Sequence, residues 1–274
     1  MERNERKSKN RVTIKDVAKA SGVSIATVSY VLNNKPGQSI SEDTRKKVLQ
    51  FANILGYECN IMAKYLATGK TNTVSVVVKD INPIAAQYYF KLITELSRLL
   101  WRQNFGLKIV DYYDVIKRNT DCDAYITLAL SEKEFREFAD TKYIPVVAID
   151  SVFDDFLFFR INDDYKQLCD KTKSEFNYSN LTLLTFGLPE EVKNAAAQAF
   201  GDIAIIDSLT DLHDLDKQKS YVTTSSLIYE NAKLILAVQL ESSSFALKAT
   251  AAAEAVIKTI KRTTANADNH DIRV

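Results

Sequence analysis

The sequence predicts a chain in two parts, a small all-helical head followed by a larger α/β body. Charge marks the division, because residues 1–72 carry 13 Lys and Arg against 6 Asp and Glu, whereas the remainder carries 23 against 29. Short helices around a glycine turn fill the head. Beyond it, short apolar strands alternate with amphipathic helices, which predicts parallel sheets with helices on both faces. A length of 274 residues is enough for two domains.

The head opens with two short helices joined by a tight turn. Thr13 is a good N-cap for an apolar stripe at helical spacing, and Gly22 suits the left-handed conformation that ends a helix. Ser24 then caps a second helix that runs to Leu32. Such a pair is a helix-turn-helix, whose second helix presents its N-terminal end to a DNA major groove. The basic excess fits the same partner, since Lys and Arg that neutralise phosphates release condensed counterions.

A third helix completes the head. Pro36 and Gly37 prevent the second helix from continuing, and Ser41 caps a new helix that ends at Gly56. In the body we expect strands at VSVVV, LKIVDYY, AYITLAL, PVVAID, FLFFRI, LTLLTFG, IAIID, SYVTT and KLILAVQL, and helices near 84–103, KEFREFA, 165–176, 189–200 and 244–262. This order predicts a pair of α/β lobes.

The segment from Val12 to Val78 resembles the N-terminus of lactose-repressor (LacI/GalR) family transcriptional regulators. The match includes the helix-turn-helix, the TRKKV third helix, the GY that closes it, and an N-x-x-A-x-x-L hinge. The resemblance implies a DNA-binding head over residues 1–58, a hinge helix and linker over 59–72, and a two-lobed body over 73–274 that is similar to periplasmic binding proteins. It also implies a cytoplasmic homodimeric regulator, usually a repressor, that binds a palindromic double-stranded DNA operator and a small-molecule effector.

On this resemblance the base-reading positions of the second helix are Ile25, Ala26 and Tyr30. Apolar side chains can read thymine methyl groups, and a tyrosine hydroxyl can bond a base edge or a phosphate. Alternatively, Ile25 is a residue of the head core, and Tyr30 is a surface aromatic residue that makes no contact with DNA. Hydroxyl groups that suit phosphate oxygens, together with two residues flanking the helices, complete the expected DNA-binding set in the head: Thr13, Ser24, Thr27, Ser29 and Asn33.

The resemblance also assigns roles in the hinge. Its residues are Asn60, Ala63, Lys64 and Leu66, and so short a helix is marginal in water until a partner and DNA are present. In the family the leucine wedges between base steps in the minor groove, and Lys64 is placed to meet a phosphate. The alternative for Leu66 is an ordinary contact to the body. Cys59 stands where the family usually has proline.

The body offers four candidate effector-binding residues. Asp80, Tyr88 and Asp150 are expected near strand ends that face a cleft, and Lys193 is the one basic residue where the family usually has arginine. The alternative for each of the three is a cap or solvated loop residue. The body is shorter than the resemblance implies, and Ser225 and Ser226 replace an acidic N-D pair. These departures argue against a sugar pocket of the family's type.

Other classes of function find little support. The sequence contains no Gly-rich phosphate loop, no Ser/His/Asp, Cys/His or HExxH arrangement, and no apolar run long enough for a membrane span, so we expect no enzyme, cofactor, metal or membrane partner. His213 is expected in a solvated loop. Two other readings stay open: a ligand-binding protein with a vestigial head, and an enzyme built on the α/β body.

Overall fold

The computed structural model describes residues 12–33, 37–57, 70–118, 120–178, 180–263 and 269–274. The chain divides into two compact units, Met1–Gly69 and Lys70–Val274, and each is described by itself. The N-terminal unit contains the head, and the C-terminal unit contains the body.

The head consists of three helices, α1 (Ile14–Ser21), α2 (Ile25–Leu32) and α3 (Glu42–Ile54). Gly22 ends α1 with φ +67°, a conformation that glycine adopts without a Cβ penalty. The side chains of Ser24 and Ser41 cap α2 and α3. The core is small and aliphatic, with buried Val17, Ala18, Val28, Val31, Val48 and Ala52.

The body begins with lobe 1. Its elements in this part of the chain are β1 (Thr73–Val78), α4 (Pro83–Arg102), β2 (Gly106–Asp111), α5 (Tyr112–Lys117), β3 (Ala124–Leu128), α6 (Glu132–Ala139), β4 (Val146–Ile149) and β5 (Phe159–Asn162). The central strands are apolar on both faces, as expected of parallel strands covered by helices on each side.

The chain then crosses to lobe 2 and returns. Lobe 2 contains α7 (Tyr165–Phe176), β6 (Thr182–Phe186), α8 (Glu190–Phe200), β7 (Ile203–Ile206), a 3₁₀ helix (Leu209–Asp214), β8 (Ser220–Thr223), α9 (Ser226–Ala232) and β9 (Ala237–Leu240). After that, α10 (Ser244–Ile260) and β10 (Asp271–Arg273) rejoin lobe 1. The strand orders are β10-β5-β4-β3-β1-β2 and β7-β6-β8-β9, and all recorded pairs are parallel.

The predicted α/β class is confirmed, with local differences at strand ends. The expected strand LKIVDYY stops at Asp111, because the Asp111 carboxylate accepts the amides of Tyr113 and Asp114 and starts α5. The expected strand FLFFRI begins only at Phe159. The expected strand KLILAVQL begins only at Ala237.

Candidate nucleic-acid interface and interlobe cleft

The N-terminal end of α2 is exposed, whereas Val28 and Val31, further along the helix, are held in the core. Val28 and Val31 are 0% and 3% exposed. Ile25, about one turn before Val28 in the first turn of the helix, is 46% exposed, and Ala26 is exposed as well. Tyr30 is half-buried. The structure therefore places Ile25 outside the head core, contrary to the alternative that it is a core residue.

Hydrogen bonds hold the hydroxyl groups of α2 in place. Ser24 Oγ accepts the amide of Thr27 at 3.0 Å and lies 2.9 Å from Thr27 Oγ1. At the other end, Asn33 Nδ2 donates to the carbonyl of Ser29 at 2.8 Å. A hydroxyl group has one donor and two acceptor positions, so Ser24, Thr27 and Ser29 each retain capacity for a further partner.

Thr13 is already engaged in hydrogen bonds within the head. Its amide and its Oγ1 both donate to Asp16 Oδ2, at 2.8 and 2.7 Å. These two hydrogen bonds from Thr13 hold the pKa of the Asp16 carboxyl below its usual range. A phosphate that approached Thr13 would meet an ionised carboxylate. The hinge residues Asn60, Ala63, Lys64 and Leu66 lie outside the described residues.

In the body, a cleft of about 330 Å³ opens between the lobes. Its lining comprises Lys79, Asp80, Ile81, Asn82, Ala85, Tyr89, Leu128, Ala129, Ser131 and Glu134 from lobe 1, and Gly187, Leu188 and Pro189 from lobe 2. Of the four candidate effector-binding residues, Asp80 lines this cleft. Tyr88 lies in the second turn of α4 and not at a strand end. Lys193 forms an ion pair with Glu190 in its own helix.

Lys79 and Glu134 form an ion pair in the wall of this cleft. The hydrogen bond to Glu134 raises the pKa of Lys79. Burial raises the pKa of Glu134, but hydrogen bonds from Lys79 and Ser131 outweigh burial and lower that pKa overall. The charges of Lys79 and Glu134 thus compensate each other before any ligand arrives.

Tyr88 and Asp150 belong to a buried cluster beneath the cleft. Lys248 Nζ donates to Asp150 Oδ1 at 2.6 Å and to Asp163 Oδ2 at 2.7 Å. Tyr88 Oη lies 2.8 Å from Ser244 Oγ. The sequence-based prediction missed Lys248 and Asp163. The available signal was a single lysine in the alanine-rich run ALKATAAAEAV.

Two kinds of site are absent from the described residues. They contain no group of three His, Cys, Asp or Glu side chains that could hold a metal ion. None of their helices combines the length and the apolar character that a membrane span requires.

Residues 13–60 match the family described as "Bacterial regulatory proteins, lacI family". The chain is 34% identical over 141 residues to the HTH-type transcriptional regulator GalS of Salmonella typhimurium, covering 47% of this chain and 40% of GalS. It is 28% identical over 235 residues to catabolite control protein A of Priestia megaterium, covering 80% of this chain and 67% of that protein. The chain thus spans 40% to 67% of the length of these two relatives.

Solved structures share the fold over nearly the whole chain. The crystal structure of the Lac repressor dimer bound to operator and the anti-inducer ONPF matches with a TM-score of 0.62 and 13% sequence identity, covering 97% of this chain and 96% of that one. At this identity the likeness establishes the fold, which is a helical N-terminal unit followed by a two-lobed parallel α/β body. Together with the match over residues 13–60 and the related regulators, it identifies the chain as a homologue of the LacI/GalR regulators that carries a LacI-family helix-turn-helix domain.

Proposed function

We propose that the chain is a sequence-specific DNA-binding transcriptional regulator of the repressor type. Its functional divisions are the head over residues 1–58, the hinge over 59–72 and the body over 73–274. The observation that carries the proposal is the exposed, capped N-terminal end of α2, within a helix-turn-helix that matches the LacI family. A regulator of this kind acts on the chromosome, so we assign it to the cytoplasm, and the proposal assigns it no chemical reaction.

In this proposal α2 enters the major groove by its N-terminal end. Ile25 and Ala26 offer apolar surface to thymine methyl groups, and Tyr30 offers a hydroxyl to a base edge or a phosphate. Ser24, Thr27, Ser29 and Asn33 contact phosphates and fix the register of the helix on the duplex. The amide end of α2 adds a partial positive charge toward the same anions.

The hinge supplies a second contact in the minor groove. Leu66 inserts between base steps, Lys64 meets a phosphate, and Asn60 and Ala63 complete the hinge. Unstacking a base step costs a few kcal/mol, which is offset by the additional contact that bent DNA permits. Replacing Leu66 by Ala should weaken operator binding and reduce DNA bending, measured by circular-permutation assay. Unchanged bending would reject the hinge assignment.

The proposed active form is a homodimer, because one head buries too little surface to reach the affinity that specific operator binding requires. The body has apolar surface that a second copy can cover. Phe90 and Trp101 on α4 are 70% and 76% exposed. Ile109 on edge strand β2 pairs in register with buried Val76, lies on the same face of the sheet, and is itself 55% exposed. Sedimentation of Phe90→Ser/Trp101→Ser should show a weaker dimer.

In vitro selection of duplex DNA by the full-length protein tests the function. We expect a near-palindromic motif to be enriched at low salt, and the double variant Ile25→Ala/Tyr30→Ala to lose that motif while remaining folded. Leu49→Ala is the matched control, since Leu49 is an apolar residue of the head that is 48% exposed but lies on α3. Failure to enrich any motif would favour the ligand-binding protein with a vestigial head.

The interlobe cleft is the place where the body can bind a small-molecule effector. Asp80 and Ser131 supply polar groups there, whereas Lys79 and Glu134 are already paired. A thermal-shift screen of small polar molecules checks this. Asp80→Ala should abolish any shift that a ligand produces, and Lys193→Ala should leave it unchanged because Lys193 is paired with Glu190 in α8.

A further inference from the structure

The two segments that cross between the lobes meet at one buried cluster. The first crossover, residues 163–164, leads from β5 to α7, and the second, residues 241–243, leads from β9 to α10. Ser244, which begins α10, donates its hydroxyl to Asp163 Oδ1 at 2.6 Å. Since Asp163 belongs to the first crossover and Ser244 follows the second, this hydrogen bond ties the two crossovers to each other.

Lys248 ties the same crossovers to lobe 1. Its ammonium donates to Asp163 at 2.7 Å and to Asp150, at the end of β4, at 2.6 Å. The side chains of Lys248, Asp150 and Asp163 are 2%, 1% and 8% exposed. We call these three residues the ion triad. Hydrogen bonds between ionised groups are the strong ones, and burial protects them from solvent screening.

Every carboxylate oxygen of the ion triad has a partner. Tyr89 Oη donates to Asp150 Oδ2 at 2.9 Å, and Ser244 and Lys248 occupy the other oxygens. Because Ser244 gives its only proton to Asp163, the Tyr88 hydroxyl must donate to Ser244. The network also holds Asp150 at φ +53°, a conformation that a non-glycine residue adopts only when its surroundings fix it.

The ion triad sets one cation, Lys248, against two acids, Asp150 and Asp163. Burial alone would lower the pKa of Lys248, but Asp150 and Asp163 raise it well above its ordinary value. Burial raises the pKa of Asp150 despite the neighbouring ammonium, as expected when one cation serves two acids. The other titratable groups that face the triad are the phenols of Tyr88, Tyr89 and Tyr165, whose pKa values burial raises, so they remain neutral.

Lobe 2 closes directly over this cluster. The space between the triad and lobe 2 is about 10 Å³, and its lobe 2 lining consists of Tyr165, Leu183, Thr185, Phe186, Leu188 and Thr224. The rings of Tyr88 and Tyr89 lie 5.1 and 5.7 Å from the ring of Phe186. Such aromatic pairs are favourable at these separations. The base of the cleft is therefore filled by side chains of the chain itself.

We propose that the ion triad is a hinge lock, which holds the lobes in their closed arrangement without a bound small molecule. Lobes rotate by changing φ and ψ at a few crossover residues. Here Asp163 of the first crossover is held by buried charged hydrogen bonds, and Ser244, directly after the second crossover, is bonded to it. A ligand shifts the equilibrium between open and closed lobes only by its differential affinity for the two arrangements. If the lobes are already closed without ligand, a ligand that prefers the closed arrangement changes their populations little. This inference concerns the body alone and does not rest on the proposed DNA binding.

The test is the interlobe distance in the full-length protein, measured by double electron–electron resonance. Spin labels at Lys133→Cys on α6 and Asn194→Cys on α8 report opening, because both positions are exposed on helices whose first turns meet where the amide of Glu132 donates to Glu191 Oε1. Cys59 is replaced by Ser, and Cys122 and Cys169 are buried. We expect a single narrow distance without ligand. Two populations in the parent protein would overturn the lock.

The decisive variant removes all three charges, Lys248→Met/Asp150→Asn/Asp163→Asn, so that no charge is left buried and unpaired. We expect it to lose the single narrow peak and gain a population at longer distance. The matched control, Lys219→Met/Asp202→Asn, removes a surface ion pair within lobe 2 and should keep the peak. A peak unchanged in the triad variant would overturn the lock.

If the triad variant does not fold, amide hydrogen exchange at the crossovers of the parent protein tests the hinge lock instead. The amides of Asp164 and Glu241, in the two crossovers, donate to the carbonyls of Val274 and Thr223. A pinned hinge should make them exchange as slowly as the amides of β3 and β4. Exchange as fast as that of the exposed 216–219 turn would overturn the proposal.

Discussion

Asn82 Nδ2 donates to Asp207 Oδ1 at 3.0 Å, which joins lobe 1 to lobe 2 across the mouth of the cleft. The same Asn82 caps α4, because its Oδ1 accepts the amide of Ala85 at 2.7 Å. Gly187 lies against this pair, and a Cβ there would come within 3.3 Å of Asp207 Oδ1. One side chain thus starts a helix of lobe 1 and also holds the lobes together.

Asn82→Asp separates these two roles. Aspartate caps helices as well as asparagine does, but here it sets a second carboxylate against Asp207. We expect the free energy of unfolding to fall by about 0.5–1.5 kcal/mol, because a hydrogen bond is replaced by like-charge repulsion at a partly exposed site. Urea unfolding measures it. In an Asp207→Ala background the same change should be nearly neutral, and an equal loss there would contradict the interlobe assignment.

Recognition by α2 gives a second prediction. Ile25→Ala should weaken binding to a selected operator by about 1 kcal/mol or more and relax the preference for thymine at its contact position. The fold should be unaffected, since Ile25 lies outside the core. Val28→Ala is the contrasting variant, because Val28 is fully buried and its loss should lower head stability. If Ile25→Ala and the parent protein prefer the same bases at every operator position, Ile25 does not take part in base recognition.

Local signals explain why the head could be predicted from the sequence. Thr13, Ser24 and Ser41 each precede a helix, and Gly22 adopts the φ of +67° that its position requires. These features depend on neighbours a few residues away. The apolar runs of the body likewise identify parallel strands, since such strands are buried on both faces.

Long-range relationships explain what the sequence did not reveal. Nothing local shows that α10 and β10 return to lobe 1, because that depends on packing against α4, β4 and β5. Lys248 lies 98 residues from Asp150 and 85 from Asp163, so its partners become visible only in the folded body. For the same reason the sequence predicts Asp150 as a ligand-binding residue, whereas in the folded body Lys248 and Tyr89 already occupy its two oxygens.

Salt dependence gives a third prediction. A dimer that makes ~6 to 10 phosphate contacts should lose ~10³ to 10⁵ in affinity between about 50 and 200 mM salt, because released counterions drive binding. Fluorescence anisotropy across this range measures the slope. Lys64→Ala should reduce the slope by about one, as expected when one phosphate contact is lost. Lys133→Ala, on α6 of the body, should leave it unchanged, and a flat response in the parent would contradict phosphate anchoring.

The ion triad predicts how the stability of the body depends on alkaline pH. The pKa of Lys248 is raised above its ordinary 10.5 in the folded chain, so the stabilisation it provides is complete below pH 10.5 and is lost as pH rises toward the folded value. Tyr88, Tyr89 and Tyr165 act in the same direction above their ordinary 10.0, because burial keeps them neutral. The free energy of unfolding should therefore fall as pH rises above these ordinary values.

The charge-free variant Lys248→Met/Asp150→Asn/Asp163→Asn isolates the lysine contribution. Above the ordinary lysine pKa of 10.5 its free energy of unfolding should fall less steeply than that of the parent. The slopes should differ by up to about 1.4 kcal/mol per pH unit, which corresponds to one proton, while the tyrosines continue to contribute in both proteins. Urea unfolding at several alkaline pH values measures the two slopes. Parallel curves would mean that Lys248 holds its proton no more tightly in the folded chain than in the unfolded one.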